Sequence, residues 1–318
     1  EELARQRRRR VDRIATWVLP IAILVGTLVF WEWRVWVTQT PHYILPAPSR
    51  IWETLMTDGW SLLGSLTVTL TTTGAALTLA IIGGAGLAIL FSLSRWAELS
   101  FYPYAITLQV TPVIAIAPLL LIYAPEINLG LFTIPDQVVA LLFMAWIVAF
   151  FPILSSTTLG LASVDHNLRD LFHIYGATRW QKLRYLQIPS ALPYFLGGLR
   201  IGGGLSLIGA VVAEFAAGTG GRASGLAFRI LESSYRLNIP RMFAALFLIA
   251  LTGVLIFAIL SFVSHLCLRK WHESAIKREI CPRWISRPCR RRLAFASRTC
   301  ARRPAWSASP ATWRPCPS

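Results

Sequence analysis

Apolar residues gather in six long blocks separated by short polar segments. The blocks run from about Ile14 to Trp33, Leu66 to Phe91, Tyr102 to Tyr123, Val138 to Leu161, Ala191 to Ala217 and Met242 to Leu268. The hydrocarbon core of a bilayer needs about 20 mostly apolar residues in helical form, because no water is present there to satisfy backbone amides. Every block meets that length, and none alternates as a barrel strand does. The pattern therefore predicts an all-α polytopic membrane protein with six transmembrane helices. The first block follows Arg7 to Arg10, as a signal peptide would, but its apolar run is too long and no small-residue cleavage site follows it. It reads as a retained span.

The segments between the blocks carry their own signals. Leu45-Pro46-Ala47-Pro48 reads as a stiff turn, followed by a helix with Ser49 as N-cap and an apolar stripe at Ile51, Leu55 and Met56, lying along the outer membrane surface. The loop over 163–190 predicts a short amphipathic helix before Gly176 and a second after Thr178, with Trp180, Leu183 and Leu186 on one face. Gly176 permits a sharp bend between them, and Pro189 is expected to stop the second helix. Such a bent pair on the inner side is a lever for a soluble partner, or an interfacial pair lying on lipid. Residues 218–225 are Gly-rich but lack the GxGxxG order, so they read as a flexible turn rather than a phosphate cradle.

Composition agrees with the pattern: 55% of the 318 residues are hydrophobic and 14% charged, against roughly 25% charged in a soluble domain. The net charge of +16 would suit nucleic acid, but its distribution argues otherwise. Residues 281–318 hold nine Arg and no acid, together with Cys281, Cys289, Cys300 and Cys316. Those cysteines have neither zinc-ligand spacing nor a disulfide framework, so no metal site is expected. A stretch of Arg, Pro, Ala, Ser, Cys and Trp without periodicity builds no core, and we read 281–318 as disordered and as a frameshifted end of the gene. Elsewhere the basic residues mark topology. The basic N-terminus (1–13), the short segment with Arg95, the 163–190 loop and the segment after the sixth span together carry fifteen Lys and Arg through residue 280, and the opposite segments six. Both termini are therefore expected inside. Four of those six (Arg222, Arg229, Arg236 and Arg241) sit between the fifth and sixth spans and run against the rule.

Candidate chemistry is sparse. No Gly-Lys dipeptide exists, so no Walker A loop; neither His-Glu-x-x-His nor Gly-x-Ser-x-Gly occurs. The chain is not expected to be an enzyme. Within the spans, Arg200 is a costly charge and hence a candidate for a solute pathway, with snorkelling to the headgroups as its alternative. Glu214 lies too far along the same helix to pair with it and is expected near the outer mouth, in a structural role more than a solute contact. Gly198 and Gly202 have GxxxG spacing and suit either a pore-lining helix or ordinary packing. Thr67, Thr69, Thr71, Thr72 and Thr73 either line a polar path or bond back to their own helix. A self-contained secondary carrier or channel is the competing class, although no inverted repeat is visible.

The 163–190 loop resembles the signature loop of the membrane subunits of binding-protein-dependent ABC importers: Glu-Ala-Ala, three residues, Gly, nine residues, Ile-x-Leu-Pro. Asp170, Gly176, Leu186, Ile188 and Pro189 fall on its acidic, glycine, two apolar and proline positions, and Leu171 and Phe172 stand where it has alanines. Leu45-Pro46-Ala47-Pro48, Phe150-Phe151-Pro152, Gly176-Ala177-Thr178-Arg179-Trp180 and Val212-Ala213-Glu214 are similar to the nitrate, sulfonate and taurine branch. The resemblance implies a permease domain over 14–271 and a cytoplasmic tail over 272–318, in a bacterial inner membrane. It also implies that two copies form a pore for a small organic or oxyanion solute (nitrate, sulfonate, taurine or pyrimidine-like) delivered by an external binding protein. Cytoplasmic ATPase subunits would bind ATP and Mg, grip the loop through Asp170, Leu171, Phe172, Gly176, Ala177, Arg179, Trp180, Leu183, Leu186, Ile188 and Pro189, and leave this chain with no cofactor of its own. No nucleic acid partner is implied.

Overall fold

The apolar blocks become helices because an amide in hydrocarbon finds a partner only within its own helix. The computed structural model describes residues 2–41, 43–128, 133–218 and 224–269; the expectations for the tail and for most of the Gly-rich loop lie outside them. The helices are α1 (Glu2–Thr38), α2 (Pro48–Thr57), α3 (Gly59–Leu93), α4 (Arg95–Val110), α5 (Val113–Tyr123), α6 (Asp136–Ala162), α7 (His166–Ile174), α8 (Arg179–Lys182), α9 (Ile188–Ala217), α10 (Leu226–Tyr235) and α11 (Ile239–Leu268). A two-residue antiparallel pair, Ile127–Asn128 with Thr133–Ile134, closes the turn before α6.

Among the described residues, five helical stretches have the length and composition to cross a bilayer, and α4 with α5 makes a sixth only as a broken pair bent by 102°. The expected straight third span is thus corrected. Thr111 before Pro112 is extended (ψ 124), because the proline ring disfavours helical geometry at the preceding residue, and the helix restarts at Val113. Two further corrections concern helix starts. Ala47, not Ser49, caps α2, with Pro48 in its first turn, and the Ser49 amide and hydroxyl instead donate to the Glu32 carboxylate of α1 at 3.1 and 2.8 Å. The segment 226–235, read as part of a loop, is a helix.

The subunit is organised around α3, α6 and α9, and small residues let them approach. Ala76, Ala80, Gly84 and Ala88 recur every four residues on one face of α3 and are buried. A Cβ on Gly84 would sit 3.2 Å from the Phe150 carbonyl. Between α6 and α9 the fit is closer still: a Cβ on Gly198 would lie 2.6 Å from Ser156 Cβ, on Gly202 2.9 Å from Ile153 Cγ1, and on Gly209 2.9 Å from Ala145 Cα. Gly83 and Gly86 have no such role. Helices that meet through glycine gain dispersion contact and need no apolar driving force, which lipid would not supply. The apolar side chains of α1 and α11, such as Leu24, Val254 and Phe262, remain exposed as a surface for acyl chains.

At the end of the bundle where α9 stops and α10 begins, three of the four arginines that ran against the charge rule are tied down, Arg222 lying outside the described residues. Arg229 donates to Ser65 Oγ and to Glu232, each at 2.9 Å, Arg236 pairs with Glu232 at 3.0 Å, and Arg241 lies 3.5 Å from Asp58. The hydrogen bond from Arg229 holds the Glu232 carboxyl below its ordinary value of 4.5. Arginines matched by acids in this way are weak topology signals.

Candidate functional site

The loop end of the bundle holds Asp170, Leu171 and Phe172 on α7. Asp165 starts that helix by accepting from the Asn167 amide at 3.1 Å. Its C-terminus closes as a Schellman motif: the Gly176 amide donates to the His173 carbonyl and the Ala177 amide to the Phe172 carbonyl, both at 3.0 Å. Gly176 sits at φ +65, where a Cβ costs ~1–2 kcal/mol. Two residues on, Thr178 caps the start of α8 with a capping box, its hydroxyl accepting from the Gln181 amide while the Gln181 side chain accepts from the Thr178 amide at 2.8 Å. Two helix ends and a turn are thus fixed within six residues, which makes the bent pair a rigid unit.

Pro189 does not stop the second helix. A π-helical turn, Leu183–Gln187, joins α8 to α9, and the Ile188 amide reaches back five residues to the Leu183 carbonyl. The wider turn makes room for the proline ring, which would collide with the carbonyl four residues back in an α-helix. Arg179–Ala217 is accordingly one stretch of 39 residues. The same turn separates residues expected on one face. Leu183 is buried with Phe91, Leu161 and Ala191, Leu186 is half-buried, and Trp180 is 62% exposed. Arg179 donates to the Leu93 carbonyl at 3.3 Å and Ser92 Oγ to Gln187 Oε1 at 2.9 Å, so the loop is also fastened to the end of α3. Sequence reading missed Ser92 and Gln187, which are 95 positions apart and share no motif. The Thr178 to Gln181 box was legible as T-x-x-Q.

The four residues considered for a solute pathway do not converge. Gly198 and Gly202 face α6 as described. Glu214 is buried at the far end of α9, accepting from Thr69 Oγ1 at 2.8 Å and from the Ala227 amide at 3.0 Å. Thr69 in turn accepts from the Leu226 amide at 2.9 Å. One carboxylate and one hydroxyl thereby satisfy the first two amides of α10 and hold it against α3 and α9. A Cβ on Gly225 would occupy the space of that carboxylate. Thr67, Thr71 and Thr73 bond back to their own helix at 2.7 to 2.8 Å. Arg200 stands apart from all of these: its guanidinium lies 5.9 Å from the Phe257 ring centre, and its buried Nε has no hydrogen-bond partner among the described residues. Gly197 and Gly204 flank it with open space where a side chain would be. Tyr194, Ile201 and Ile208, spaced by seven, are exposed.

Residues 76–271 match the family described as "Binding-protein-dependent transport system inner membrane component". The riboflavin transport system permease protein of Chloroflexus aurantiacus is 33% identical over 264 residues, 80% of this chain and 90% of that protein. A formylaminopyrimidine transport permease protein of Halalkalibacterium halodurans is 32% identical over 75% of this chain and 90% of its own length. The putative aliphatic sulfonates transport permease protein of Bacillus subtilis is 27% identical over 81% and 89%. In fold, the chain is similar to a crystal structure of an amino acid ABC transporter, with a TM-score of 0.53 at 20% identity over 68% of this chain and 97% of that one. With the family match over residues 76–271 and a relative 33% identical over 80% of this chain, the chain belongs to the family of inner-membrane permease components of binding-protein-dependent ABC transport systems.

Proposed function

We propose that two copies of this chain form the solute pathway of an ATP-driven importer, with the 163–190 loop as the coupling element received by cytoplasmic ATPase subunits. The observation that carries this reading is the rigidity of the loop. A Schellman motif, a capping box and a π-helical turn weld α7 and α8 to α9, so a displacement of the loop moves a spanning helix as one body. ATP and Mg belong to the partner ATPase, solute arrives on an external binding protein, and both termini of this chain are cytoplasmic. The pathway runs along the uncovered stripe of α9 around Arg200, while Gly198, Gly202 and Glu214 keep that helix in place. The solute is a small organic molecule or oxyanion. A heterocycle is favoured, because the riboflavin and formylaminopyrimidine permeases are more similar in sequence to this chain than the sulfonate and nitrate permeases, at 33% and 32% against 27%.

The test is uptake in proteoliposomes holding this chain and a cognate ATPase, with pyrimidines, riboflavin, taurine and nitrate offered on a cognate binding protein. Uptake that needs ATP and the binding protein is expected. Uptake driven by an ion gradient alone would overturn the proposal.

A further inference from the structure

The loop carries a cavity of about 470 Å³, walled by Leu171, Phe172, Tyr175, Ala177, Gln181 and Tyr185. Its frame is fixed by the bonds already described: the Ala177 amide to Phe172, and Thr178 to the Gln181 side chain. The Gln181 side-chain oxygen is occupied there, and apart from the Gln181 amide nitrogen and the tyrosine hydroxyls the lining is aromatic and aliphatic. Tyr175 is 80% exposed and Tyr185 65%, which leaves a concave apolar surface open.

Lipid is a poor occupant. The continuous stretch Arg179–Ala217 has 39 residues and is about 58 Å long at 1.5 Å per residue, against roughly 40–45 Å for a bilayer with its headgroups. With Ala217 at the opposite surface, the loop projects into the aqueous phase. Charge favours protein as well: the 163–190 loop that carries the cavity holds Arg169, Arg179, Lys182 and Arg184 against Asp165 and Asp170. Leu171 and Phe172 supply two of the six walls, at the positions where the signature loop has alanines.

We infer that the cavity receives a large apolar side chain, set in an acidic rim, from the ATPase subunit. The coupling loop is then a socket as well as a plug, and Leu171 and Phe172 decide which ATPase fits. This inference rests on the coupling role proposed above, and two measurements separate them. In the assembled complex, Tyr185→benzoylphenylalanine is expected to photo-crosslink to the ATPase at an apolar residue. Adducts with lipid only would overturn the coupling role and the socket together. The double variant Leu171→Ala with Phe172→Ala keeps good helix formers on α7, and helix content and melting of the purified permease check that it folds. It is expected to bind the cognate ATPase 10- to 100-fold more weakly, as is Ala177→Trp, which fills the cavity from within. Unchanged affinity in both, with the crosslink present, would overturn the socket and leave the coupling role standing.

Discussion

Replacing Thr69 by Val tests the node that holds α10. The shapes of the two side chains are close, so little cavity or strain arises, and the change falls on hydrogen bonds. Thr69 Oγ1 donates to Glu214 and accepts from the Leu226 amide, and Leu226 is fully buried. Losing a bond to a charged group costs ~1.5–3 kcal/mol and stranding a buried amide ~1–3 kcal/mol, so the expected destabilisation is about 3–5 kcal/mol. Thr69→Ser keeps the hydroxyl and sheds one methyl, at about 0.8 kcal/mol. That order, Ser mild and Val severe, is the reverse of what simple lipid solubility predicts. Unfolding of the purified protein by SDS titration measures it, and hydrogen exchange at the Leu226 and Ala227 amides reads it locally. At 1.4 kcal/mol per tenfold, exchange in the Val variant should accelerate on the order of 100-fold or more. A Val variant as stable as the wild type, with unchanged exchange, would refute the reasoning.

Other outcomes follow from the same packing and charges. Gly209→Ala drives a methyl towards the backbone of Ala145 and should cost ~1–3 kcal/mol, whereas Gly197→Ala and Gly204→Ala meet open space and should stabilise the isolated subunit by up to about 1 kcal/mol through helix propensity; thermal melting in detergent separates the two classes, and the latter pair should still impair transport by narrowing the proposed pathway on that stripe. Gly176→Ala meets no neighbour, so its cost is conformational, about 1–2 kcal/mol, and should appear as reduced ATPase stimulation with the spans intact by circular dichroism. Because the folded Glu232 carboxyl titrates below 4.5, its contribution to stability is present above that pH and lost as pH falls through the lower folded value. Glu232→Gln should remove this acid sensitivity, and high salt should shrink it, as measured by melting between pH 3 and about pH 6.

The spans were legible because the bilayer makes a strict demand that composition meets directly. The break between α4 and α5 was not, because prolines are poor discriminators here: Pro20, Pro103, Pro118, Pro152 and Pro193 all lie inside helices, whereas Pro112 interrupts an apolar block. Pro189 misled in the other direction, since one wider turn accommodates it. The bend of the 163–190 loop at Gly176 was readable from the sequence, but its fastening to Ser92 and Leu93 was not, for those contacts depend on where two distant helices end. The same holds for α10, whose ten residues owe their place to Glu214 and Thr69 rather than to an apolar run.

The unbroken stretch from Arg179 to Ala217 also works in reverse. A rod of about 58 Å that tilts by some 10° about its middle carries each end through about 5 Å, so a disturbance at either end is registered at the other. If the loop has the coupling role proposed above, thermodynamic reciprocity makes the bias that nucleotide binding places on the far mouth equal to the bias that docking at that mouth places on nucleotide binding. The helix that opens the path would then also carry occupancy at the far mouth back to the loop end, as a change in affinity there.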